Sequence, residues 1–266
     1  MPEQQIEKIT DREHGLKRQL TAGQMAMVAI GGSIGTGLLL GSGAAIQIAG
    51  PAVIVSYIIS ALICWTVALA MGEMSAMHPA AGSFGVYAEL YLNDWAGFVA
   101  RYGYWFAVVF AIGSEVVAAG TYMQVWFPKV PVVTWMIVFG FLLLLVNFFP
   151  VGDYGTFEYW FAFIKVLTIF LFIVIGAALL VGAKVHPQYV VNGGFTPNGW
   201  KAAFIAASFG LFSFLGIEMV AISSGEARSA AEVSRATRIS FVTLVLLYVG
   251  AMAVLVGVMP WRNAGV

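Results

Sequence analysis

Two glycine-rich stretches, each inside an otherwise apolar run, are where this sequence could bind something. The first reads Gly31-Gly32-Ser33-Ile34-Gly35-Thr36-Gly37, with Gly41 and Gly43 beyond it. The second reads Gly210-Leu211-Phe212-Ser213-Phe214-Leu215-Gly216-Ile217-Glu218. Each glycine costs a helix roughly 1 kcal/mol relative to Ala, so such clusters need a reason. One reason is close packing of helices through small residues. Another is a broken helix, whose half-helix N-terminus presents backbone N–H groups to a carboxylate. Three ionisable residues also fall inside apolar runs: Glu115, Lys165 and Glu218. A charge at a bilayer centre costs at least about 2.5 kcal/mol. Each is therefore either a hydrogen-bonding partner in packing or a functional group. Desolvation disfavours a charged ammonium, so a Lys in such a run can exchange its proton, as a coupling group must. Lys165 also lies near enough to the end of its run to snorkel in part. Covalent and metal chemistry have no comparable signal. Cys64 is the single cysteine, and His14, His78 and His186 lie outside the apolar runs.

The elements that must position these groups are membrane helices. Of the 266 residues, 61% are hydrophobic and 10% charged, against roughly 25% charged in soluble domains. Lys+Arg and Asp+Glu balance at 13 each, and eight of these charges sit in the first 18 residues. A soluble globular domain, a disordered chain and a nucleic-acid-binding surface all need more charge. No charged residue occurs between Arg18 and Glu73, which is too long for one crossing of about 20 residues. Gly50-Pro51 splits that stretch, because Pro does not continue a helix. The expected spans are Ala22–Ala49, Ala52–Met71, Gly97–Tyr122, Val132–Phe149, Tyr159–Val181, Ala202–Ile222 and Ile239–Met259. Their continuous apolarity argues against β-barrel strands, which alternate. The first is also too long for a signal-peptide core. Residues 1–21 read as an N-terminal tail and 22–266 as one transmembrane domain.

Lys and Arg counts set the expected orientation. With the N-terminus cytoplasmic, that side holds Lys8, Arg12, Lys17, Arg18, Arg228, Arg235 and Arg238, and the outside holds Lys129, Lys184, Lys201 and Arg262. Trp126, Trp200 and Trp261 then fall near outer ends. Arg101 reads as an interfacial anchor. The first and sixth spans occupy corresponding positions if the chain is built from five-helix repeats. Paired, Gly-interrupted spans at such positions mark a transporter binding site, which favours the broken-helix reading.

These residues, with others along the chain, resemble the amino acid permeases of the amino acid–polyamine–organocation superfamily. The resemblance rests on Ala29-Ile30-Gly31-Gly32-Ser33-Ile34-Gly35-Thr36-Gly37-Leu38, on Ala49-Gly50-Pro51, and on Gly72-Glu73-Met74 with Pro79 and Gly82-Ser83-Phe84. It continues through Glu115, Gly120-Thr121-Tyr122-Met123-Gln124, Glu158-Tyr159-Trp160-Phe161-Ala162, Ile164-Lys165-Val166 and Gly225-Glu226-Ala227. Arg228-Ser229-Ala230 stands where the family often has Asn-Pro.

The resemblance implies an all-α integral membrane protein with a five-plus-five inverted-repeat transporter fold and broken first and sixth helices. Seven spans against the family's usual twelve would leave the second repeat incomplete. It implies proton-coupled amino acid symport at the cell membrane, with an amino acid, protons and the lipid bilayer as partners, no nucleic acid and no cofactor. Gly35, Thr36 and Gly37 would hold the substrate carboxylate, with Ser33 also among the substrate-binding residues. Phe212, Ser213 and Leu215 would offer carbonyls to its ammonium, and Phe212 or Phe214 would close over it. Lys165 would stand where related carriers bind sodium. Glu218 and Glu115 would assist proton transfer or substrate selection. Two other readings remain open: a permease fragment that does not transport, and a seven-helix receptor, which the Lys/Arg count disfavours.

Overall fold

The computed structural model describes residues 18–78, 83–148, 151–182 and 185–264. The charged tail 1–17, Pro79, Gly82, Phe149 and Lys184, and the side chain of Glu158, lie outside the described residues. Helices make up most of the described residues. α1 (Ala22–Ser33) begins at Thr21, whose hydroxyl accepts from Gln24 N–H while the Gln24 side chain returns to the Thr21 N–H. This reciprocal cap satisfies two donors of the first turn. α2 (Thr36–Leu39) and α3 (Gly41–Ala49) continue the same span in pieces. Gly50, at a φ of 63° open to glycine, starts a short 3-10 turn ending at Ala52. α4 (Val53–Met77) then runs back. α5 (Ser83–Tyr91), α6 (Asp94–Met123), α7 (Val132–Val146) and α8 (Val151–Val181) follow. After them come α9 (Gly199–Ser213), α10 (Met219–Ile222) and α11 (Ala230–Val258).

Among the described residues, four helical runs are long and apolar enough to cross a membrane: Gly41–Met77, Asp94–Met123, Tyr159–Val181 and Ala230–Val258. Val132–Val146 is apolar but shorter. The expected first and sixth spans do not stand beside them as single long helices, because each is interrupted. α1 has 12 residues and α9 has 15.

The chain divides into two compact units, one of Met1–Ser83 with Phe161–Val266 and one of Phe84–Trp160. In the first, α4 packs against α9 and α11, and α9 also covers α3. Small polar side chains join α4 to α9. Ser56 Oγ donates to the Ala203 carbonyl at 2.8 Å, and Ser60 Oγ to the Ala207 carbonyl at 2.7 Å. Gly210 lies one turn on, with no room for a side chain against Ser60. The packing reading thus holds at this glycine, which is helical. The main core gathers Tyr57, Tyr248, Phe214, Ile34, Ile46 and Leu244. A separate cluster of Ala22, Met25, Ala29, Val220, Val233 and Ala236 holds the start of α1 to α10 and α11. There Gln19 and Leu20 N–H groups both donate to the Glu226 carbonyl at 2.9 Å, and the Ala22 N–H donates to the Glu232 carboxylate.

In the second unit α6 packs along α7, with Gly120 close to Val132 and Met136. Arg101, expected as an anchor at a membrane interface, forms an ion pair with Glu89.

Candidate functional site

The first break lies between α1 and α2. Ile34 ends the helix in an extended conformation, φ −79° and ψ 93°, and Gly35 precedes the new start at φ −146° and ψ −149°. A helix end leaves its last carbonyls without intrahelical donors. Here two of them are met from other helices. Lys165 Nζ on α8 donates to the Gly31 carbonyl at 3.0 Å, and Tyr248 Oη on α11 donates to the Ser33 carbonyl at 2.8 Å. A cation at a helix C-terminus also suits the helix dipole. Lys165 is an exposed residue of the chain. Its neighbours Ile164 and Leu167 on α8 are likewise exposed. The Ser33 hydroxyl folds back onto the Ala29 carbonyl at 2.8 Å, so its side chain serves its own helix. Thr36 and Gly37 are buried and Gly35 is half-buried. Thr36, Gly37 and Leu38 form the first turn of the restarted helix, where N–H groups have no intrahelical acceptor.

The second break follows α9. Its chain does not unwind at Gly210 but after Ser213, and α10 restarts at Met219. Gly216 sits at φ +108°, a conformation that L side chains rarely adopt. Its N–H donates to the Glu218 carboxylate at 2.8 Å, which fixes the turn. Glu218 also lines a cavity of about 10 Å³ with Gly72 and Thr237, room for about one water. In this tight turn the Phe212 carbonyl accepts the Leu215 N–H at 3.2 Å. Ser213 Oγ is held between Tyr57 Oη and the Phe209 carbonyl, each at 3.0 Å. Of the two aromatic residues, Phe212 is 42% exposed. Phe214 is 1% exposed and packs on Tyr248 with ring centroids 5.0 Å apart. The apolar core claims Phe214, and Phe212 is the ring left to face outward beside Leu215.

The two breaks touch through glycines. A Cβ placed on Gly37 would stand 2.7 Å from Ser213 Cα and 3.1 Å from the Phe212 oxygen. One placed on Gly216 would stand 2.6 Å from the Gly32 carbonyl carbon and from the Ser33 nitrogen. Neither position accepts any other residue without moving backbone. Ser33, Gly35, Thr36, Gly37, Phe212, Ser213, Leu215, Glu218 and Lys165 are thus all at or against these breaks. Glu115 belongs to the second unit, exposed on α6. Among the described residues no group of His, Cys, Asp or Glu could hold a metal ion. Sequence reasoning missed Tyr57 and Tyr248. The one available signal was that a Tyr in an apolar span must find a hydrogen-bond partner.

Comparison with known proteins bears on the whole arrangement. The amino acid permease family matches residues 24–266. A γ-aminobutyric acid permease of Bacillus subtilis (strain 168) is 37% identical over 261 residues, covering 96% of this chain and 56% of its own length. An uncharacterized amino acid permease of the same organism is 35% identical over 258 residues, with 94% and 56% covered. The aromatic amino acid transport protein of Escherichia coli (strain K12) is 36% identical over 262 residues, with 95% and 57% covered. The chain therefore spans a little over half the length of these curated relatives. A family match across nearly the full chain, on an all-helical structure with apolar spans and two helix breaks, has one meaning: this is a multi-pass membrane protein that belongs to the amino acid permease family.

Proposed function

We propose that the interlocked breaks are an amino acid site and that the protein serves proton-coupled amino acid symport across the cell membrane. One observation carries the reading. The restart of α2 at Thr36 lies directly against the end of α9 at Ser213, so one small molecule can reach both. A helix N-terminus favours a carboxylate, and Gly35, Thr36 and Gly37 form one. Carbonyls of the Phe212–Leu215 turn suit an ammonium, and a carbonyl can accept twice, so Phe212 remains eligible. The exposed Phe212 ring can close over the bound molecule. Lys165 supplies the coupling group. While protonated it donates to Gly31 and steadies the end of α1. Once it loses that proton it still carries N–H but no charge to favour the helix terminus, and α1 is held less firmly. Glu115 and Glu218 are further candidates for proton transfer or selection.

The relatives' names suggest aromatic amino acids and γ-aminobutyrate as first probes. The proposed layout has residues 1–21 as a cytoplasmic tail and 22–266 as the transmembrane domain. The test is uptake of tritiated phenylalanine and γ-aminobutyrate by proteoliposomes holding the protein, with and without an imposed inward proton gradient. Accumulation that disappears when the gradient is dissipated supports the reading. Binding without accumulation shows that this chain carries the site but not the transport cycle. Absence of both binding and uptake overturns the reading.

A further inference from the structure

Tyr57 of α4 and Tyr248 of α11 are both fully buried, at 0% exposure. Each hydroxyl reaches a different break. Tyr248 donates to the Ser33 carbonyl at 2.8 Å, and Tyr57 meets Ser213 Oγ at 3.0 Å. Ser213 spends its own proton on the Phe209 carbonyl, so Tyr57 is the donor in that pair. The two rings stand edge to face, with centroids 6.5 Å apart and planes at 84°. Phe214, inside the second break, also packs on Tyr248, with ring centroids 5.0 Å apart. A continuous path of bonded and packed atoms therefore joins Ser33 to Ser213 through two tyrosines.

We propose that Tyr57 and Tyr248 are positioning residues, a buried brace that sets the spacing of the two breaks and passes a shift at one to the other. The proposal rests on the reading of the breaks as an amino acid site, since spacing matters to a ligand that touches both. The glycine contacts at Gly37 and Gly216 resist closer approach of the breaks but cannot hold them together. The tyrosines supply the tether. A hydroxyl in apolar surroundings does not give up its partner without cost, and an edge-to-face ring pair has a preferred geometry. With both rings packed on all sides, a displaced Ser33 drags Tyr248, and Tyr248 bears on Tyr57 and Phe214.

Tyr57→Phe and Tyr248→Phe keep the rings and delete the hydroxyls. Amide hydrogen exchange, read by mass spectrometry on the purified protein in nanodiscs, tests the brace. In either variant, segments 34–38 and 213–218 should both exchange about tenfold faster, while residues 56–60 of α4 keep their native rate. Faster exchange only at the break that the altered tyrosine touches would overturn the proposal. So would unchanged exchange, or faster exchange throughout the bundle, which would make the tyrosines packing residues. Ser213→Ala deletes the acceptor of Tyr57 and keeps both rings. It should speed exchange at 34–38 too, and it decides the matter if a tyrosine variant fails to fold. Binding of phenylalanine or γ-aminobutyrate should weaken about three- to tenfold in the same variants, in line with the loss of one buried hydrogen bond. If the native protein binds neither probe, the reading of the site fails, while the exchange measurement still decides the brace.

Discussion

Gly37 and Ser213, 176 positions apart in the chain, lie backbone to backbone: a Cβ on the glycine would fall 2.7 Å from Ser213 Cα and 3.0 Å from its nitrogen. This one contact brings the restart of the first broken helix to the end of the second. It also explains why the glycines there cannot be read as generic helix packing. At Gly210 and Gly31 a helix neighbour lies close, and at Gly37 and Gly216 the neighbour is the other break.

Gly37→Ala should therefore spread the two breaks. Overpacking of this kind costs about 1–3 kcal/mol, and the site would pay first. The expected outcome is at least a tenfold loss of amino acid affinity with a lowered melting temperature. Gly103→Ala is the control, since a Cβ there meets nothing within 4 Å, and it should leave both unchanged. Equilibrium binding with thermal unfolding by fluorescence checks both variants.

The serine ladder between α4 and α9 predicts a modest, additive cost. Ser56→Ala and Ser60→Ala each remove one interhelical hydrogen bond. Such bonds average about 0.6 kcal/mol in membrane bundles. Each variant should lose about that much stability in a denaturation series, with substrate affinity near native. A loss above about 2 kcal/mol for either would mean that the serines do more than join two helices.

Lys165 separates coupling from packing. Lys165→Arg keeps a cation that can reach the Gly31 carbonyl but stays protonated. It should retain binding within a fewfold and lose gradient-driven accumulation. Lys165→Ala leaves that carbonyl without its ammonium donor and should lose both accumulation and about 1–3 kcal/mol of stability. Uptake in proteoliposomes with and without a proton gradient distinguishes the two. Accumulation retained by the Arg variant would assign Lys165 to packing and pass the proton to Glu115 or Glu218.

Much of this was legible in the sequence. Composition and the charge-free stretches located the helices, and glycine density located both breaks to within a few residues. The second break occupies only the later part of the stretch Gly210–Glu218, and in the sequence Gly210 reads like Gly216. Only the structure shows that one faces Ser60 and the other carries a φ of +108°. Phe212 and Phe214 are equally apolar and two residues apart, so no pattern reveals that Phe214 is sealed by Tyr248 and Phe241. The tyrosine brace was invisible for a related reason. In a span that is apolar all round, periodicity does not say which way a single Tyr points.

Orientation has a direct check. Val190 lies in the segment between α8 and α9 and is largely exposed. Val190→Cys on a Cys64→Ala background should react with an impermeant maleimide added outside intact cells, placing that segment outside and the N-terminus in the cytoplasm. Labelling only after the membrane is permeabilised would reverse the topology.

Binding to the Gly35→Val protein tests the central claim most directly, because Gly35 opens the turn where α2 restarts. If the carboxylate is held at that turn, a branched side chain at Gly35 blocks its close approach to the backbone. Equilibrium binding of tritiated phenylalanine and γ-aminobutyrate to native and Gly35→Val protein in nanodiscs is the measurement. A carboxylate site at the two breaks predicts saturable binding of at least one probe to the native protein, displaced by the free amino acid but not by its methyl ester. It predicts no detectable binding to the variant at equal amounts of folded protein. Native affinity in the Gly35→Val protein would contradict the account and place the substrate somewhere other than the two breaks.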